Sequence, residues 1–154
     1  MEATFNLQAL WTRLADVNAL TLEARSTNSD VGWNGMGRGE VVVEIVESGT
    51  MLFHENGGWT SDGGTKLAFT NVYRWTALAE SSSLRLEHLR LGNENPVYLF
   101  DLKQTGKVTW QSVEPHVCRE DLYTAIMTFD GEVLALHWTI KGPAKNESIR
   151  YSYR

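Results

Sequence analysis

Between Thr4 and Asp16 the apolar residues Phe5, Leu7, Leu10, Trp11 and Leu14 recur at three- and four-residue spacing. That spacing predicts an amphipathic helix with Thr4 as its N-cap. Asp16 to Asn18 break it, and from there the apolar period is two. Strands are expected over Leu20–Thr27, Val41–Glu47, Met51–Glu55, Lys66–Ala77, Leu84–Leu91, Val97–Gln104, Val108–His116, Asp121–Phe129, Glu132–Lys141 and Lys145–Tyr153. The glycine-rich stretches Asn28–Gly39 and Asn56–Gly64 read as loops. About ten short strands in series with short links predict an all-β antiparallel meander, closed as a barrel or folded as a sandwich.

Turn chemistry suggests the register of two hairpins. Asp130-Gly131 is a two-residue turn signal, which sets Phe129 against Glu132, Met127 against Leu134, Ala125 against Leu136, Tyr123 against Trp138 and Asp121 against Ile140. That face is apolar except for Asp121, and His137 falls on the other one. A three-residue loop at Thr105-Gly106-Lys107 sets Leu102 against Trp110 and Phe100 against Ser112. The same face then carries Tyr98, Glu114, His116 and Cys118, so polar groups gather at one end of an apolar interior. Burying them costs several kcal/mol unless they bond one another.

Composition narrows the class. The chain has 154 residues, 42% hydrophobic and 21% charged, the profile of one globular domain. Net charge is −5 and the basic residues are scattered, so nucleic acid is not expected as a partner. No apolar run has the length of a membrane span, and the Met1-Glu2-Ala3 start lacks the features of a secretory signal. A single cysteine, Cys118, fits a reducing cytoplasm. Six Trp, five Tyr and five Phe supply rings enough for both a core and a ligand pocket.

His116, Cys118, Asp121 and Tyr123, followed by Trp138, by Gly142-Pro143 and Lys145, and by Tyr151, Tyr153 and Arg154, match a pattern. It runs H-x-C-x-x-D-x-Y, a tryptophan strand, G-P-x-K and a tyrosine-rich last strand. In this the chain resembles a family of small lipocalin-like proteins known as domain of unknown function 6314. Tyr73-Arg74-Trp75 and the strand around Phe100 resemble it more loosely. The resemblance implies a calycin-type up-and-down β-barrel with an N-terminal helix at its mouth, and it implies no activity.

The cluster around His116 has three readings. The first is structural, with Asp121 pairing with Lys145 and Gly142-Pro143 turning a tight corner. In the second, Tyr98, Phe100, Trp110, Tyr123 and Trp138 wall a pocket for a small apolar or aromatic molecule, with Glu114, His116, Cys118, Asp121 and Lys145 around its polar end. The third is catalytic: Tyr123 with Glu114 or Asp121 acts as acid and base on a phenolic or carbonyl substrate. Cys118 with His116 lacks an orienting residue for a nucleophile. His54, His88, His116 and His137 lie on separate strands without metal-ligand spacing, and no cofactor is expected; a haem would fall to His116. Gly35-Met36-Gly37-Arg38-Gly39 is not followed by a helix and so is no phosphate loop. Trp33 and Trp59 read as a barrel rim or as the contact of a homodimer. The composite expectation is a small-ligand-binding barrel, with an enzyme or an empty interaction scaffold as alternatives.

Overall fold

The computed structural model describes residues 4–27, 34–118, 120–143 and 146–154. Trp33 and Lys145 lie outside the described residues, as does the Cys118 side chain. One helix, α1 (Leu7–Ala15), precedes eleven strands: β1 (Ala19–Ser26), β2 (Gly35–Glu47), β3 (Thr50–Ser61), β4 (Lys66–Leu78), β5 (Ser83–His88), β6 (Val97–Gln104), β7 (Thr109–Ser112), β8 (His116–Cys118), β9 (Asp121–Phe129), β10 (Leu134–Lys141) and β11 (Asn146–Tyr153). Each pairs antiparallel with its neighbours, β11 returns to β1, and the ring closes through β9 and β10. β7 and β8 lie end to end along β9, so the wall is a closed ten-strand antiparallel barrel.

The helix seals one end. Its cap is Asn6, not Thr4: the Asn6 carboxamide accepts the Ala9 N–H at 2.9 Å, while Phe5 donates its own N–H to the Lys107 carbonyl at 3.0 Å. The segment before the helix is thus taken by the β6–β7 turn. Leu10 and Leu14 are fully buried, and the Phe5 ring lies 4.9 Å from that of Phe129. Leu7 and Trp11 border a crevice with Gly49 and Ala77, beside the β2–β3 and β4–β5 turns. The opposite end, where β1 meets β2, β3 meets β4 and β5 meets β6, is the mouth.

Both expected hairpin registers are displaced by two residues. Phe129 pairs with Leu134, Met127 with Leu136, Ala125 with Trp138 and Tyr123 with Ile140. The cause is Asp130, whose carboxylate accepts the N–H groups of Glu132 and Val133 at 3.0 and 2.8 Å and widens the turn to four residues. Gly131, at φ 99°, supplies the left-handed position. A two-residue slip keeps every side chain on its face, so Trp138 still points inward and His137 lies on the outer side, bonded to Ser148 at 2.6 Å. Tyr123 therefore faces Ile140 instead of Trp138. In the β6–β7 hairpin Leu102 pairs with Ser112 and Gln104 with Trp110, because the turn is drawn out to meet Phe5.

Two further expectations are corrected. Gly35, Gly37 and Gly39 are not in a loop; they occupy alternate inward positions of β2, and Gly57 does so in β3. Their missing side chains make room: a Cβ at Gly35 would lie 2.6 Å from the Trp59 ring, and one at Gly57 would lie 2.8 Å from Phe69. The period of two persists with glycine as the inward residue. Second, the expected strand Val108–His116 is interrupted between Ser112 and His116, where Pro115 has no N–H to offer a ladder. The last bond from this stretch to β6 is Val113 N–H to the Asp101 carbonyl at 3.0 Å. Beyond it β8 pairs only with β9 among the described residues, and the His116 ring meets Tyr98 of β6 edge-on at 5.2 Å.

Candidate functional site

The cluster foreseen around His116 is dispersed through the structure. Phe100, Trp110 and Trp138 belong to the packed core. A bulge in β6 pairs Leu86 with Phe100 and Glu87 with Tyr98, so Leu99 is the extra residue. Tyr98 is thereby turned to the outer face, where the Arg85 guanidinium stands 5.5 Å over its ring. Glu114 is exposed in the strand break. His116 and Tyr123 are half-buried, their rings 6.0 Å apart. Asp121 packs its carboxylate against Gly142. Tyr98, His116 and Tyr123 are brought into ring contact, and Glu114 borders an outer crevice with Tyr98 rather than the barrel interior.

A different set of residues encloses space. A cavity of about 360 Å³ opens at the mouth, walled by Leu22, Trp59, Leu67, Phe69, Ile149 and Tyr151, with Asn71 as a polar group. These come from alternate, inward positions of β1, β3, β4 and β11. The glycines of β2 leave room for Trp59 and Leu22 here. Small-molecule sites have this form: a mostly apolar concavity with a few polar groups set into it.

Directly inward lies a polar layer that spans the barrel. Glu55 of β3 is 2% exposed. It sits opposite Asn71 in the β3–β4 ladder and opposite Val41 in the β2–β3 ladder. The Tyr153 hydroxyl donates to its Oε2 at 3.0 Å from across the barrel, and the Asn71 amide reaches Oε1 at 3.5 Å. The Tyr73 and Tyr151 hydroxyls lie 3.4 Å apart. Tyr73 stacks on half-buried His88 at 4.7 Å, and Tyr151 is stacked between Tyr153 and Trp138.

The electrostatics follow from burial. Desolvation pushes the Glu55 carboxyl up to about 7, against the downward pull of the bonds from Tyr153 and Asn71. Burial first, then the neighbouring Glu55 charge, raises the Tyr151 phenol; Tyr73 is held well above the usual tyrosine range by burial, then by Tyr151 and Glu55, and Tyr153 by burial, then by Glu55 and Tyr151. Burial, and then the Arg90 charge, lowers His88. The phenols therefore stay protonated at neutral pH, while Glu55 exchanges its proton there. The Trp138 indole N–H is buried without a partner among the described residues.

The sequence reasoning missed Glu55 and Asn71. A signal was present: Met51, Phe53 and Glu55 are in phase, so a carboxylate stands on an apolar inward face. Reading Asn56–Gly64 as a loop placed Glu55 at a strand end, where a charge is ordinary. Tyr151 and Tyr153 stand out in the sequence only as part of the terminal pattern.

Comparison with curated proteins and with solved structures found no match to either. A family model described as a family of unknown function (DUF6314) matches residues 20–154, nearly the whole barrel. The chain belongs to that family.

Proposed function

We propose that the mouth of the barrel binds a small, mostly apolar molecule, its body among Leu22, Trp59, Leu67, Phe69 and Ile149 and its polar end toward Asn71 and Tyr151. The observation that carries this reading is the 360 Å³ apolar cavity above a buried carboxylate and phenol layer. A core built only for stability fills such space with side chains. Here it stays open between inward side chains of β1, β3, β4 and β11, and its volume falls in the range of small-molecule pockets.

Ala24 lies on the cavity wall and is buried, so Ala24→Phe fills the space from within. Titration with the uncharged dye N-phenyl-1-naphthylamine should show saturable fluorescence enhancement in the native chain and at least tenfold weaker binding in Ala24→Phe. Ala79→Phe, in the crevice beside the helix, serves as the control and should bind as the native chain does. Equal binding by native chain and Ala24→Phe, with both folded by near-UV circular dichroism, would overturn the assignment.

A further inference from the structure

We propose that the occupant of the mouth is a hydrophobic organic cation, an alkyl- or arylalkylammonium whose nitrogen lies against Asn71 and Tyr151 with the Glu55 carboxylate as counter-ion. This occupant presupposes that the mouth is a ligand site, and it names the chemical class.

Glu55 has no cationic partner among the described residues. The groups that face it are Val41 from β2, Asn71 and Tyr73 from β4, and Tyr151 and Tyr153 from β11, with His88 of β5 behind Tyr73. None of these carries a positive charge at neutral pH, since burial and Arg90 disfavour the charged form of His88. A carboxylate buried without a cation costs several kcal/mol when ionised. Its two oxygens are unequally served: Oε2 accepts a 3.0 Å phenol bond, whereas Oε1 has only the 3.5 Å approach of Asn71. An ammonium brings three donors and the missing charge.

The cavity suits the rest of such a molecule. Trp59, Phe69 and Tyr151 contribute aromatic rings, which attract organic cations through their π faces. Leu22, Leu67 and Ile149 take the hydrocarbon body. As the ammonium enters, protonated Glu55 gives its proton to solvent and the ion pair forms. A carboxylate ligand would instead meet a like charge. A neutral ligand would leave Glu55 protonated and gain no ionic attraction from it.

Three probes with one carbon skeleton separate these cases: 4-phenylbutylammonium, 4-phenylbutan-1-ol and 4-phenylbutanoate, titrated calorimetrically. The ammonium should bind at least tenfold tighter than the alcohol at pH 7.5, with the butanoate weakest. Its affinity should rise about tenfold per pH unit between pH 5 and the Glu55 midpoint, with proton release seen as a dependence of the heat on buffer ionisation enthalpy. Glu55→Gln should lose both the preference and the pH dependence. Should that variant fail to fold, proton release by the native chain decides alone. Equal affinity for alcohol and ammonium, or ammonium binding without proton release, overturns the cation while leaving the mouth as a site. Failure of all three probes to bind removes both readings.

Discussion

Replacing Glu55 by Gln changes how the stability of the barrel depends on pH. In the unfolded chain the carboxyl titrates near its ordinary 4.5, and in the fold near 7. The folded state therefore holds the proton more tightly, and the associated stability is fully present below pH 4.5 and lost as pH rises through 7. At 1.36 kcal/mol per pH unit the whole effect is on the order of 3 kcal/mol. About 2.5 kcal/mol of it falls between pH 5 and pH 8. Glu55 is only 2% exposed, so solvent screening takes little from this figure. Gln keeps an acceptor for the Tyr153 hydroxyl and does not titrate. The other carboxylates are common to both chains and cancel in the difference. Urea unfolding followed by tryptophan fluorescence at half-unit steps from pH 5 to pH 8 gives the two curves. The native chain should lose about 2.5 kcal/mol relative to Glu55→Gln across that span. Parallel curves would refute the assignment of a neutral, buried Glu55.

Two further substitutions probe the ends of the barrel. Leu10→Ala empties a fully buried position in the sealing helix and should lower unfolding free energy by about 3 kcal/mol in the same urea assay. Gly142→Ala sets a methyl group against the Asp121 carboxylate and should destabilise by about 1–3 kcal/mol, a loss that Gly142→Ala/Asp121→Gly would largely recover.

The fold was legible because period-two alternation is a strong signal when repeated through a whole chain. β6 and β9 have the very limits expected, Val97–Gln104 and Asp121–Phe129. What escaped depended on partners distant in sequence. The Asp130 side chain lengthens one turn, and Phe5 draws out another from the far end of the chain. The candidate site was less legible for the same reason. Tyr98 was assigned inward by counting, and one extra residue at Leu99 reversed it. By sequence alone glycine residues read as breakers, whereas in β2 they are the inward members of a strand whose neighbours supply the bulk. Glu55 became visible only once Trp59 beyond it proved to lie in the same strand.

The interruption at Pro115 leaves a weak junction in the wall. Where β8 approaches β6, an edge-on contact between Tyr98 and His116 stands in for the ladder that joins other neighbouring strands. Such a ring pair is worth about 1 kcal/mol, so it parts at little expense, and among the described residues no backbone bond joins β8 to β6. The circumference of the barrel is therefore adjustable at that seam. Any widening of the wall falls first there, on the side away from the glycine-bearing strands.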